Sequence, residues 1–81
     1  MTSGSVARMI LMNIGGRDNV VSVEYCSTRL RLEVRNERVA DIVRLKDERG
    51  IIGAYKSGEK YQVITRMKPE RLYKAFKKIG V

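Results

Sequence analysis

One stretch of the 81-residue chain combines the side chains that group transfer needs: Cys26-Ser27-Thr28-Arg29-Leu30-Arg31. A cysteine attacks as its thiolate, and nearby cations and hydrogen-bond donors lower the thiol pKa and raise the thiolate share at neutral pH. Arg29 and Arg31 are two residues apart, so on a strand both guanidinium groups leave the same face. A guanidinium fork grips phosphate oxygens two at a time. Ser27 and Thr28 add hydroxyls, and the free N–H groups of a turn can form an anion-binding concavity. The set therefore suits a phosphoryl group carried on sulfur. The plainer alternative is a lone cysteine buried as a small hydrophobe, beside arginines that are merely solvated.

The rest of the composition removes other chemistries. The chain has no histidine and a single cysteine, so it cannot build a multi-ligand zinc site, and no metal or cofactor is expected. Ser-His and Cys-His catalytic pairs are excluded within the chain. One cysteine also excludes a disulfide framework and suits a reducing, cytoplasmic setting. The longest apolar run, Met9 to Met12, is far short of the ~20 residues that span a bilayer, and no secretory pattern opens the chain.

The elements that must position Cys26 are legible as hydrophobic periodicities. Residues 1–4 read as a disordered or extraneous start, and residues 5–81 as one domain. Val6, Met9, Ile10 and Ile14 have helical spacing, with Ser3 or Ser5 as N-cap and Gly15-Gly16 closing the helix. Arg17-Asp18-Asn19 is turn chemistry, and Val20 to Tyr25 reads as a strand. A second strand alternates Thr28, Leu30, Leu32 and Val34 inward with Arg29, Arg31, Glu33 and Arg35 outward. Asn36 should cap a helix over 37–48, with Val39, Ile42 and Val43 inward and Gly50 at its end. Ile51 to Tyr55 and Tyr61 to Thr65 form a hairpin around Ser57-Gly58. Pro69 opens a last helix whose buried stripe is Leu72, Ala75, Phe76 and Ile79. The order α-β-β-α-β-β-α, with short connections, predicts an α+β fold: one four-stranded antiparallel sheet covered by helices.

Gly15-Gly16-Arg17-Asp18-Asn19, followed by Val21-Ser22-Val23-Glu24-Tyr25-Cys26-Ser27-Thr28-Arg29-Leu30-Arg31, closely resembles the phosphocysteine region of enzyme IIB domains. These belong to the glucose/sucrose class of the bacterial sugar phosphotransferase system. The resemblance extends over about residues 5–79. It implies that Cys26 is the residue transiently phosphorylated, taking the group from a phosphohistidine of an enzyme IIA and passing it to a sugar held by a membrane enzyme IIC. It implies that Arg29 and Arg31 serve onward transfer to the sugar, and that Thr28, beside Ser27 in the phosphate-binding turn, shapes that turn. The protein would then be a phosphotransferase, at the cytoplasmic face of the membrane when tethered to enzyme IIC. Thr65-Arg66 stands where the family commonly has a glycine, and the Tyr55–Lys60 hairpin is longer and more basic than usual.

The formal charge of +8 is the other prominent feature, and residues 53–81 hold eight bases against two acids. An excess of this kind suits a polyanionic partner. Lys74, Lys77 and Lys78 fall at i, i+3 and i+4 and form one stripe on a helix. Tyr55, Tyr61 and Tyr73 are candidates for stacking on bases, while Phe76 is better placed in the core. The competing reading is thus a small nucleic-acid-binding or regulatory module that keeps the same fold. A third is contact with an anionic membrane surface; a solvated helix face would account for the stripe equally well.

Overall fold

The computed structural model describes residues 2–81. Helix α1 (Ser3–Asn13) starts earlier than expected. Thr2 is its N-cap, and the Thr2 and Ser5 side chains each accept from the other's backbone N–H, a reciprocal cap that satisfies two otherwise free donors. Ser3 and Gly4, expected to lie outside the fold, therefore form its first turn. At the other end Gly15 adopts φ +99° and the Gly16 N–H reaches the Leu11 carbonyl at 2.7 Å. This left-handed closure relies on the absence of a Cβ at Gly15.

Strands β1 (Val20–Tyr25), β2 (Leu30–Val34), β3 (Ile51–Ser57) and β4 (Lys60–Thr65) form one antiparallel sheet in the order β1-β2-β4-β3. With α2 (Ile42–Asp47) and α3 (Pro69–Ile79), the chain order is the expected α-β-β-α-β-β-α. The register lines up Tyr25, Leu30, Val63 and Ala54 across the four strands, and Glu24, Arg31, Gln62 and Tyr55 in the next row. Because side chains alternate faces, the first row turns toward the helices and the second lies on the opposite, polar face. The covered face joins Ile10, Ile14, Leu45, Leu72 and Phe76, all nearly or fully buried, in one core with Leu30, Leu32 and Val63. Burying each such side chain contributes roughly 1.5–3 kcal/mol.

The middle helix differs from its expected form. Asn36 does cap, but it caps only a single 3-10 turn (Glu37–Val39), and Asp41 caps a separate short α2. Val39 and Val43 are exposed, and Leu45 is the residue of this segment that is buried. The cause is the Asp41 N–H, which donates to the Asn13 carbonyl at the end of α1 (2.6 Å) and breaks the helical ladder. Tertiary contact overrides local spacing here. In α3 the stripe is as expected, with Leu72, Ala75 and Phe76 buried and Gly80 left-handed at φ +97°. The β3–β4 turn is Gly58-Glu59, between paired Ser57 and Lys60, with Gly58 at φ +62°.

Candidate functional site

The β1–β2 connection is the four-residue loop Cys26–Arg29, closed by the Cys26 N–H donating to the Arg29 carbonyl at 3.0 Å. Its near end is anchored to α3. The Tyr25 ring stacks obliquely on Tyr73 (centroids 4.9 Å apart), and the Tyr25 hydroxyl lies 3.3 Å from a Glu70 carboxylate oxygen. The Glu70 charge, followed by burial, raises the Tyr25 pKa, so the hydroxyl keeps its proton and donates it to Glu70. Its far end enters β2, where Leu30 is fully buried. The loop is therefore held at both ends by packed residues, and Cys26 stands half-buried between them.

The Cys26 Sγ lies 3.5 Å from Thr28 Oγ1. That hydroxyl is the main cause of a thiol pKa lowered from 9.0 to about 6. The Thr28 backbone N–H adds to it, then the Arg31 side chain, and least the Arg29 N–H; partial desolvation opposes them. Donors aimed at sulfur favour the anion. A thiol titrating near 6 is roughly nine-tenths thiolate at pH 7. The Cys26 N–H itself is occupied in closing the loop onto the Arg29 carbonyl.

Thr28 does not continue the inward row of β2 as expected. It is exposed, belongs to the loop, and turns its hydroxyl to the thiol; the closure between Cys26 and Arg29 delays the strand to Leu30. Ser27 is exposed at the loop tip. Arg29 and Arg31 do share the polar face but engage different partners. Arg29 donates to Thr28 Oγ1 through Nε (3.3 Å) and to the Tyr55 hydroxyl through Nη1. Arg31 instead is the arginine whose side chain lowers the thiol pKa, and its Nε is buried without a hydrogen-bond partner. Such an unpartnered buried donor is costly.

Tyr55 joins this site from outside the Cys26 motif, through its hydroxyl on Arg29. The signal was there in part: Tyr55 alternates with Gly53 and Ser57 on one face of β3. Its neighbours across the sheet, Gln62 and Arg31, depend on a long-range register.

The basic stripe of α3 divides. Lys77 sits over the Tyr73 ring at 5.2 Å, whereas Lys74 and Lys78 border a groove of about 600 Å³ between α1 and α3 together with Arg8 and Arg71. No residue of the 26–31 segment lines that groove. Of the three tyrosines considered for base stacking, Tyr61 is buried, Tyr73 is engaged with Tyr25, and Tyr55 with Arg29. No helix among the described residues is long and apolar enough to cross a membrane.

Comparison with known proteins converges on the same segment. The family model for the phosphotransferase system, EIIB, matches residues 8–41, a span that includes most of α1 and all of β1, the Cys26 loop and β2. The chain is 39% identical over 75 residues to a PTS system β-glucoside-specific EIIBCA component of Halalkalibacterium halodurans, covering 93% of this chain and 12% of that protein. It is 34% identical over 58 residues to a PTS system sucrose-specific EIIBC component of Bacillus subtilis, covering 72% of this chain and 13% of that protein. The chain thus spans only a small part of the curated relatives it matches. A crystal structure of one domain of the PTS system IIabc component from Clostridium difficile superposes with a TM-score of 0.79 at 25% identity, covering 98% of this chain and 84% of that one. With the loop, the sheet order and these likenesses in agreement, the chain belongs to the EIIB family of the phosphotransferase system, in its glucose/sucrose class.

Proposed function

We propose that this chain is a phosphocarrier in which Cys26 holds the phosphoryl group between a donor and a sugar. The observation that carries the reading is the Cys26–Thr28 contact at 3.5 Å within a loop that lowers the thiol pKa to about 6. It supplies a standing nucleophile without a general base, which suits a chain containing no histidine. Phosphoryl transfer asks mainly for positioning and charge stabilisation.

In the first step the Cys26 thiolate attacks phosphorus in line. The S–P bond forms as the N–P bond of a phosphohistidine on an enzyme IIA breaks, and the electron pair returns to that imidazole. In the second step a sugar hydroxyl oxygen attacks the same phosphorus. The S–P bond breaks, its pair returns to Sγ as thiolate, and the hydroxyl proton goes to a base outside this chain. A sulfur that is stable as a thiolate is a good leaving group, so the donors that prepare step one also favour step two. Arg31, whose side chain helps to lower the thiol pKa, and Arg29 would neutralise the phosphoryl oxygens.

The sugar site belongs to the partner, a membrane enzyme IIC; fused EIIBC and EIIBCA relatives support that pairing. β-Glucosides and sucrose, named for those relatives, are the first sugars to try. On this reading the chain works at the cytoplasmic face of a membrane, as a sugar phosphotransferase component. The test is intact-mass measurement after incubation with a phosphoenolpyruvate-driven donor chain. One acid-sensitive phosphate per chain is expected, absent from Cys26→Ser; a chain that stays unmodified with every cognate IIA would sink the reading.

The groove of Arg8, Arg71, Lys74 and Lys78 is the observation that favours the second reading, a basic nucleic-acid-binding or regulatory module. It carries no aromatic side chain for base stacking. Oligonucleotide affinity falling steeply on a log K against log salt plot would favour that module.

A further inference from the structure

We propose that Tyr55 is a positioning residue for Cys26, acting at a distance through Arg29 and Thr28. Tyr55 lies on β3, the far edge of the sheet from β1, and nothing in the Cys26 motif points to it. The sheet brings it in. Tyr55 pairs with Gln62 of β4 and Gln62 pairs with Arg31 of β2, so Tyr55 and Arg31 lie in one row of the polar face. Arg29, two residues before Arg31, emerges on the same side. Its Nη1 donates to the Tyr55 hydroxyl, and its Cζ lies 6.0 Å from the Tyr55 ring centroid.

The direction of each bond is set by chemistry. A guanidinium donates and cannot accept. The Tyr55 oxygen therefore accepts from Nη1, and the Thr28 oxygen accepts from Nε at 3.3 Å. Thr28 has one hydroxyl proton. With its oxygen already approached by Nε, that proton is directed to the remaining neighbour, Cys26 Sγ at 3.5 Å. The chain of contacts thus runs Tyr55, Arg29, Thr28, Cys26, with each hydrogen bond beyond Tyr55 polarised toward the sulfur. The far end matters because Arg29 is only partly buried and a long arginine side chain has several rotamers. A hydroxyl and a ring face at Tyr55 restrict it to the one that presents Nε to Thr28.

The other groups that face the sulfur do not depend on Tyr55: the Arg31 side chain from β2 and the loop N–H groups of Thr28 and Arg29. Removing the Tyr55 hydroxyl should weaken, not abolish, the preparation of the thiol. What the relay is for rests on the phosphocarrier reading, since a nucleophile must be poised for an incoming phosphoryl group. Its existence can be tested without any phosphate.

The experiment is the pH dependence of Cys26 alkylation by iodoacetamide in the wild type, Tyr55→Phe, Thr28→Val and the double variant. Tyr55→Phe keeps the ring and removes the hydroxyl at an exposed site, so packing is preserved. The alkylation midpoint should rise by roughly half a pH unit, about threefold less thiolate on the acid limb. In the Thr28→Val background the same change should add nothing, because the last member of the relay is already gone. An unmoved midpoint in Tyr55→Phe overturns the proposal, as does an equal shift in both backgrounds. Phosphorylation of the wild type is scored separately. A chain that accepts no phosphate yet shows the coupled thiol shifts defeats the carrier reading and keeps the relay; the reverse result keeps the carrier and defeats the relay.

Discussion

The side-chain amide of Asn19 is bonded to the peptide groups of Asn36 in both directions. The Asn36 N–H donates to Asn19 Oδ1 at 2.9 Å, and Asn19 Nδ2 donates to the Asn36 carbonyl at 3.0 Å. The same Nδ2 also meets the Ile14 carbonyl at 2.7 Å, and the Asn19 carbonyl accepts from the Arg35 N–H at 2.8 Å. One buried residue therefore ties the end of α1 and the start of β1 to the end of β2. It sets the frame from which both strands run toward the Cys26 loop.

Asn19→Ala should consequently destabilise the fold by about 2–4 kcal/mol, because it leaves buried peptide groups without partners. Urea unfolding reads this as a lower midpoint at unchanged slope. A change below about 0.5 kcal/mol would mean that water replaces the amide without loss.

Gly15 and Gly16 form a second test, since both have positive φ, at +99° and +87°, but different surroundings. A Cβ on Gly15 would lie 2.6 Å from a Val39 methyl and 2.8 Å from Asn19 Nδ2; on Gly16 it would meet nothing within 4 Å. Gly16→Ala should cost about 1–3 kcal/mol, the strain of an alanine held at φ +87° and ψ 174°, whereas Gly15→Ala adds overpacking worth roughly a further 1–3 kcal/mol. Equal losses by thermal or urea unfolding would contradict the crowding at Gly15.

The Cys26 thiol gives a pH signature with a definite sign. Its folded pKa of about 6 lies below the ordinary 9.0, so the anion is the favoured form in the folded state. The resulting stabilisation is full above pH 9 and is lost as pH falls through 6. Alkylation should rise through pH 6 and level off by about pH 7. Cys26→Ser should abolish both that reaction and the thiol's share of the stability slope between pH 6 and 9. Alkylation that rises only above about pH 8 would show an unprepared thiol.

Both arginines should contribute to the prepared thiol, and Arg31 to the transfer step as well. Arg31→Lys should leave Cys26 able to take phosphate but slow delivery to the sugar by roughly tenfold or more, because lysine lacks the planar fork. It should also raise the alkylation midpoint, since the Arg31 side chain contributes to the lowered pKa. Arg29→Lys should raise that midpoint as well, because one ammonium cannot reach both Tyr55 and Thr28 as Nη1 and Nε do. Phosphate loading followed by a sugar chase separates the two steps; equal loss at both would refute the division of labour.

The basic segment shows how far chain position can mislead. Residues 53–81 carry most of the net charge and are remote in sequence from Cys26. Yet β4 runs antiparallel to β2, with Val63 opposite Leu30, so Arg66 and Lys68 emerge at the loop's end of the sheet. Glu70 then touches Tyr25, the residue before the thiol. Folding brings only the middle of this charge toward the loop, because Lys56 and Lys60 sit at the opposite, hairpin end of the sheet, paired with Glu37 and Glu24. The middle helix misled for a related reason: Val39 and Val43 have helical spacing, but the bond from Asp41 to Asn13 lies outside any local window.

Whatever depends on neighbours along the chain was already written in the order of residues. The alternation Leu30, Leu32, Val34 makes a strand with one apolar face; Gly15, Gly58 and Gly80 permit the turns; and Cys26 through Arg31 places a thiol, a hydroxyl and two cations within one short segment. These are properties of φ/ψ preference and period, and they reach only a few residues. Register, by contrast, came from folding: Tyr55 beside Arg29, Glu70 against Tyr25, and the Asn19 amide on Asn36. Strand pairing between distant segments is chosen by burial of the whole apolar face, so a slip of one residue would turn Tyr55 to the other side. That choice is collective, and no single stretch of the chain contains it.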